Sequence, residues 1–245
     1  MSGHSKWATI KHKKGALDAK RGQMFTKLIK EISIAARMGG GDPDANPRLR
    51  TAVLKARAAN MPRDNIDRAI KKGTGELEGV NYEELVYEAY APGGGAILIE
   101  VLTDNKNRAA AEIRNILTRS GSNLAVPNSV ARLFTRKGVL SYDGEKYTED
   151  KLMEAGLEAG ADDIVNEDGE IVVYTDPASF EAVLNAMNAA GFETDGAEIS
   201  MIPESYVTPS KEDAVKVQKL IDKLEECEDT QNVYHNIELP EDIEE

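Results

Sequence analysis

The first 30 residues hold a run of cations whose types and spacing could contact a polyanion. Eight of them are Lys or Arg, against the single acid Asp18. An extended backbone would bring several of these cations to successive phosphates, and two flat rings could stack on bases or sugars. The residues expected to bind nucleic acid are Lys6, Trp7, Lys11, His12, Lys13, Lys14, Lys20, Arg21, Lys27 and Lys30. The alternative for Trp7 is an anchor that packs on the helices that follow.

Charge is divided unevenly along the chain. Residues 1–75 contain 17 Lys and Arg against 6 Asp and Glu, a balance of +11. The other 170 residues contain 13 and 37, a balance of −24, and the whole chain carries −13. Such asymmetry is typical of a polyanion-binding segment joined to a body that does not bind polyanions. The alternative is a solvated basic helical surface without a partner.

Two glycine-rich segments share letters with phosphate-binding loops. In APGGGA, residues 91–96, the glycines connect two strand patterns, whereas a dinucleotide-binding fingerprint needs a strand followed by a helix. KKGTGE, residues 71–76, lacks the Gly-Lys-Ser/Thr ending of a phosphate loop. We therefore predict a hairpin turn for the first segment and a helix end for the second.

Residue types that perform catalysis or bind metals are present but isolated. His4 and His12 have no Cys or acidic partner at metal-ligand spacing, so no metal or other cofactor is expected. Cys227, the only cysteine, lies among three glutamates that should raise its pKa and weaken it as a nucleophile. His235 lies on a predicted strand, where a paired or surface position is expected. We therefore predict that the chain is not an enzyme.

The basic segment must be positioned by helices. Apolar residues at helical spacing predict a first helix over residues 16–38. A second helix should have Asn46 as its N-cap and Pro47 at its first position, with Leu54 among its core residues. A third helix should follow Pro62. The result is a three-helix domain with a basic exterior and a basic arm.

The rest of the chain alternates between strand and helix patterns. A hairpin with strands at 85–90 and 96–102 precedes a helix. Residues 130–203 have the order strand, helix, strand, strand, helix, strand, which is the ferredoxin-like split βαβ order. An amphipathic helix at 211–227 and a strand at 232–238 should complete a second α+β unit together with the hairpin.

We therefore predict an α+β protein with a three-helix N-terminal domain and two ferredoxin-like α+β domains, one inserted into the other. The expected domains are residues 1–76, residues 77–129 with 204–245, and the acidic insertion 130–203. No apolar run approaches the about 18 residues that cross a bilayer. The N-terminus lacks the apolar stretch of a secretory signal, and a lone cysteine suits a reducing compartment. We expect a cytoplasmic protein without a membrane partner.

Long blocks of this sequence closely resemble the YebC/PmpR family. The blocks are residues 3–32, residues 39–75, residues 87–117, SVARLF at 129–134 and NVYHN at 232–236. They span almost the whole chain and are densest before Phe134. One departure is Pro127-Asn128, where a glycine is expected before Ser129.

The resemblance implies a helical N-terminal domain and two α+β domains in an open crescent. Similar bacterial proteins are described as probable DNA-binding transcriptional regulators, while mitochondrial and some bacterial relatives act as translational activators on ribosomes. The resemblance therefore implies a non-enzymatic regulator of gene expression that binds DNA. The alternative nucleic-acid partner is ribosomal RNA, in which case the protein would bind the ribosome. A monomer or weak oligomer is expected.

The residues themselves bear on the choice between DNA and ribosomal RNA. A DNA-binding regulator should present a helix or ribbon to base edges, but the sequence contains no clear helix-turn-helix. Arg, the usual reader of guanine, is absent from the first 20 residues. Folded RNA is recognised largely by shape and phosphate, which a lysine-rich arm suits. The composition thus favours RNA slightly, and the family description favours DNA.

Overall fold

A computed structural model describes residues 21–167 and 169–240, except for the side chain of Arg21. Helices open the described chain, and two four-stranded antiparallel sheets with their own helices follow. The predicted α+β class with a helical N-terminal region is therefore confirmed. No helix within these ranges is long and apolar enough to cross a membrane.

The described residues divide into two compact units. The first unit comprises residues 21–130 and 209–235, and the second comprises residues 131–208 and 236–240 without Asp168. The helices share a unit with the first sheet, and the segment that interrupts that unit carries the second sheet. The three-domain division expected from the sequence stays a prediction.

Local sequence signals set the ends of the N-terminal helices. These helices are α1 (Arg21–Gly39), α2 (Pro47–Ala58) and α3 (Arg63–Thr74). The Asn46 side chain accepts a hydrogen bond from the Leu49 amide at 3.1 Å, and Pro47 is the first residue of α2. Gly75 follows α3 with φ at +83°, a left-handed conformation that glycine adopts without strain. The predicted N-cap and the predicted helix end are both confirmed.

The three helices share one hydrophobic core. Ile32, Leu49, Ala56 and Ile66 are among its buried members. Leu54 was expected to face this core but is 53% exposed. The buried stripe of α2 passes through its neighbour Val53, and Leu54 lies about 100° further around the helix. That rotation turns the Leu54 side chain to solvent.

Helices α1 and α3 approach each other closely at Gly73. A Cβ atom on Gly73 would lie 2.2 Å from the Ser33 carbonyl oxygen and 2.9 Å from the Ala36 Cβ. We expect Gly73→Ala to push the helices apart and lower the free energy of unfolding by about 1–3 kcal/mol, measured by urea denaturation. Gly22→Ala is the control, because nothing lies within 4 Å of a Cβ there. Equal losses in the two variants would contradict this account.

The body of the protein follows α3. Its elements in chain order are β1 (Glu83–Tyr90), β2 (Ala96–Thr103), α4 (Lys106–Arg119), β3 (Asn123–Leu124), β4 (Phe134–Asp143), α5 (Glu149–Ala159), β5 (Asp163–Glu167), β6 (Glu170–Thr175), α6 (Phe180–Ala189), β7 (Gly196–Pro203), α7 (Lys211–Glu226) and β8 (Thr230–His235). The first unit contains β1–β3, α4, α7 and β8, and the second contains the elements from β4 to β7.

The first sheet has the strand order β3-β1-β2-β8 and is antiparallel throughout. Strands β1 and β2 form the predicted hairpin, with Tyr90 paired to Ala96 across the turn. Gly93 and Gly94 have φ values of +82° and +85°, which explains why this turn is built from glycine. Strand β1 lies between β2 and β3, the two strands that α4 connects, so the sheet contains a split βαβ unit.

The second sheet has the strand order β5-β6-β4-β7, also antiparallel. Strand β6 lies between β4 and β5, which α5 connects, so the predicted ferredoxin-like order is confirmed. Leu140, Tyr142, Leu152 and Met187 pack in the core between this sheet and its helices.

The last strand is shorter than the sequence pattern predicts. β8 ends at His235, whereas the pattern extends to Glu238. The chain beyond β8 pairs within the second unit, where the Val207 amide donates to the Asn236 carbonyl at 2.8 Å and the Glu238 amide donates to the Val207 carbonyl at 2.9 Å. One continuous strand pattern in the sequence therefore covers two separate pairings, that of β8 with β2 and that of the following residues with Val207.

The segment that leaves the first sheet is held by Glu88 on β1. This buried carboxylate accepts hydrogen bonds from the Asn128 amide at 2.6 Å and the Val130 amide at 2.9 Å. Asn128 stands where the family resemblance leads one to expect glycine, and its φ is +65°. Asparagine tolerates this left-handed conformation better than most residues, so the turn is kept without glycine.

Candidate nucleic-acid interface

Most of the residues predicted to bind nucleic acid precede the first described helix. Lys6, Trp7, Lys11, His12, Lys13, Lys14 and Lys20 lie outside the described residues. Arg21 is described only by its backbone, at the start of α1. The remaining two predicted residues, Lys27 and Lys30, lie on α1, and the structure gives their side-chain contacts.

Lys30 is buried, with 4% of its surface exposed. Its Nζ atom lies 3.3 Å from Asp229 Oδ1 and donates to the Glu228 carbonyl at 2.9 Å. The ammonium also lies 5.7 Å from the centre of the Tyr82 ring. A buried ammonium that is hydrogen-bonded within the fold cannot reach a phosphate. We therefore leave Lys30 out of the interface, contrary to the expectation from sequence.

Asp229 joins α1 to α4 through two cations. The carboxylate is 1% exposed and accepts hydrogen bonds from Arg108 Nε at 3.1 Å and from Arg108 Nη2 at 3.0 Å. Arg108 Nη2 also donates to Asp104 Oδ1 at 2.6 Å. The hydrogen bonds to Asp104 and Asp229 raise the pKa of Arg108, and the bond from Arg108 lowers the pKa of Asp104. The Asp229 carboxylate thus forms ion pairs with both Lys30 and Arg108.

Lys27 is also engaged within the first unit. Its Nζ atom donates to the Glu225 carbonyl at 2.7 Å, and the Lys27 carbonyl accepts a bond from Gln231 Nε2 at 2.9 Å. Lys27, Lys30 and the buried Ile34 recur at helical spacing on α1, so the helix has a second buried face. This second face was not expected from the apolar pattern of α1. Ile34, an apolar residue outside the main core stripe, is the signal that could have indicated it.

Three arginines of the helices are likewise used inside the protein. Arg48 donates from Nε to Glu31 Oε1 at 2.7 Å and also contacts Glu84 on β1. Burial alone would lower the pKa of Arg48, but the hydrogen bonds to Glu31 and Glu84 outweigh it and raise that pKa. Arg37 and Arg50 donate to backbone carbonyls at 2.5 Å and 2.6 Å. These side chains hold the helices in place and are not offered to a ligand.

Another group of cations on α2 and α3 is exposed and makes no ion pair or side-chain hydrogen bond within the described part of the chain. Its members are Lys55, Arg57, Arg68, Lys71 and Lys72. Arg63 is exposed too, but its Nε atom lies 3.7 Å from Asp67 Oδ2. Lys55, Arg57, Arg68, Lys71 and Lys72 are therefore the cations of α2 and α3 that are open to a polyanion.

Among the residues that the structure describes, other reactive groups do not assemble into a site. Cys227 is buried, and burial is the main cause that raises the pKa of its thiol. Within residues 21–167 and 169–240, no three His, Cys, Asp or Glu side chains come together as metal ligands would. The APGGGA segment is a hairpin turn in which the Ala91 amide donates to the Gly95 carbonyl at 2.7 Å.

Comparison with known proteins extends over nearly the whole chain. Residues 5–76 match the sequence model of the TACO1/YebC protein N-terminal domain, and residues 82–237 match that of the TACO1/YebC second and third domain. A "Probable transcriptional regulatory protein" of Treponema denticola is 66% identical over 244 residues, which are 100% of this chain and 99% of the relative. A protein of the same name from Treponema pallidum (strain Nichols) is 64% identical, over 99% of both chains.

A solved structure is similar as well. It is the crystal structure of a conserved hypothetical protein from Aquifex aeolicus, with 44% sequence identity and a TM-score of 0.82. The match covers 93% of this chain and 94% of that chain. The fold described above is therefore shared by a relative that is 44% identical in sequence.

Proposed function

Because this chain belongs to the TACO1/YebC family, we propose that it is a non-enzymatic regulator of gene expression that binds nucleic acid. The observation that carries the proposal is the segregation of charge, +11 over residues 1–75 and −24 over the remainder. A surface of positive sign attracts phosphate backbones, and the acidic remainder repels them. Relatives that are 64% and 66% identical bear the name of probable transcriptional regulatory proteins, which supports the regulatory role.

Duplex DNA is the first candidate partner, and the arm that precedes α1 is its proposed site. Lys6, Lys11, Lys13, Lys14 and Lys20 are the lysines that would contact phosphates. Lysine acts as a point charge toward phosphate, so these contacts position the duplex without reading its sequence. Trp7 and His12 would add stacking, which tolerates any base.

Structured ribosomal RNA is the second candidate, with the protein acting in translation. The absence of Arg from the first 20 residues favours it, because Arg is the side chain that most often reads guanine through two parallel bonds. A lysine arm suits folded RNA, which is recognised by shape and phosphate. We propose a cytoplasmic location for both roles.

Competition binding separates these candidates. We expect the protein to discriminate weakly between a promoter-derived duplex and a shuffled duplex of equal length, because its arm contacts phosphates and not base edges. A specific DNA site is usually bound more tightly than nonspecific DNA by a factor of about 10³ or more at physiological salt. A preference of that size would establish the DNA regulator, and equal duplex affinities with tighter binding of structured ribosomal RNA would favour the translation factor. Binding to none of the three probes would contradict the proposed function.

A further inference from the structure

Apart from Arg21 and Arg63, the cations of the three helices fall into two groups according to whether the fold uses their charge. Lys27, Lys30, Arg37, Arg48 and Arg50 contact carboxylates or carbonyls of the first unit. The other group, Lys55, Arg57, Arg68, Lys71 and Lys72, is exposed and makes no such contact with described residues. We call this second group the helix cations. Their charge is therefore available to a partner, whereas the charge of the first group is not.

Three of the helix cations lie together on α3. Arg68, Lys71 and Lys72 are three and four residues apart, so their Cβ atoms are neighbours at about 5–6 Å on the helix surface. This face lies opposite the buried residues Ile66 and Ala69. No acidic residue follows Asp67 in α3, so the second half of the helix is cationic only. Helix α3 therefore presents a compact cationic face.

The helix cations also stand on a rigid support. Ile66 and Ala69 belong to the helical core, and Gly73 places α3 directly against the backbone of α1 at Ser33. Lys55 and Arg57 lie in the last turn of α2, which packs in the same core. Charges carried by packed helices keep fixed separations, so they match an array of phosphates that is also fixed. A duplex provides such an array, and a single strand does not.

We propose that the helix cations bind the phosphate backbone of a nucleic-acid duplex and give the protein a preference for duplex over single strand. The inference rests on the proposed function and extends it, because the arm alone offers contacts that either form can satisfy. Binding then has two parts, the arm and a rigid surface, and the rigid surface selects the helical form of the partner. DNA and RNA duplexes share this phosphate chemistry.

The test uses the full-length chain with the helix cations changed together to Gln, which keeps a good helix former at each position. The matched control changes Arg114, Arg119, Lys211, Lys219 and Lys223 to Gln, which removes the same charge from exposed positions on α4 and α7 of the same unit. The probes are a short DNA duplex, the RNA duplex of the same sequence, and one single strand of each. Affinity is measured over a series of salt concentrations.

For the variant, we expect the slope of log affinity against log salt on duplex to become shallower by about 4.5, because five contacts are lost and each contributes about 0.9. Duplex affinity should fall about tenfold or more, with single-strand affinity and the control variant unchanged. A loss on either duplex supports the proposal and shows which backbone is bound. Unchanged duplex affinity with lower stability would mean that the cations only offset the helix dipoles, which overturns it. Equal losses on single strands, or in the control, would also overturn it.

These outcomes are distinct from a failure of the proposed function. If the unsubstituted protein bound neither duplex nor single strand, the proposed function itself would fail. If it bound both forms and the variant behaved like the unsubstituted protein, the arm would carry the binding alone and only the role of the helix cations would be rejected.

Discussion

Replacing Asp229 with alanine should lower the free energy of unfolding by about 3–5 kcal/mol, as expected when a buried ion pair loses one partner. The reason is the charge left behind, because Lys30 is only 4% exposed and would keep its ammonium inside the protein without a carboxylate. Urea unfolding followed by circular dichroism measures the change. The alkylation rate of Cys227 gives a second measurement, since this buried thiol reacts when the region around it opens.

A double variant separates a stranded charge from a general loss of packing. Lys30→Met combined with Asp229→Ala should cost less stability than Asp229→Ala alone, because an apolar chain replaces the isolated ammonium. Arg108, the other partner of Asp229, is partly exposed and can turn to solvent. It is therefore not left as a buried unpaired charge when Asp229 is replaced. The single variants Lys30→Met and Asp229→Ala complete the comparison. If their losses of stability simply add in the double variant, Lys30 and Asp229 are not coupled, and the explanation by this ion pair is wrong.

Replacing Lys11, Lys13 and Lys14 with alanine should make the slope of log affinity against log salt shallower by about 3. Each phosphate contact releases about 0.9 counterion on B-DNA, so three lost contacts give nearly that change. Duplex affinity should fall by about tenfold or more at physiological salt. Fluorescence anisotropy with a labelled duplex over a salt series measures both quantities, and the unfolding transition should stay where it is.

The control for the arm is a variant with three lysines removed elsewhere. Lys211, Lys219 and Lys223 are exposed on α7, among acidic neighbours, and their replacement with alanine changes net charge by the same amount. We expect the salt slope of this control to match that of the unsubstituted protein. An arm variant with unchanged slope and affinity would remove the arm from the binding site. An equal change in the control would mean that net charge alone governs binding.

Features that depend on a few neighbouring residues could be predicted from the sequence. Asn46 and Pro47 start α2 because a side-chain cap and a missing amide act within one turn. The APGGGA turn closes its hairpin because the positive φ angles of Gly93 and Gly94 are a property of those residues alone. The ferredoxin-like strand order follows from a pattern of elements that only a few connections satisfy.

Features that depend on distant partners could not be predicted. Lys30 belongs to a basic run in sequence, but its carboxylate partner lies 199 residues further along the chain. Nothing near Lys30 distinguishes it from the exposed cations except Ile34, which marks the second buried face of α1. The end of β8 depends in the same way on Val207, with which the following residues pair. The binding role of the arm stays a prediction.

The position of β8 after the second sheet in the chain affects how the protein folds during synthesis. Strand β8 covers the free edge of β2, and it is synthesised after the entire second sheet. At about 20 residues per second, roughly 10 s separate the synthesis of Lys30 from that of Asp229, which lies 199 residues later. During this interval the nascent chain exposes the β2 edge, an unpaired template for aggregation, while Lys30 lacks its partner carboxylate. The second sheet can form first, and completion of the first sheet by β8 then becomes a late step of folding during synthesis.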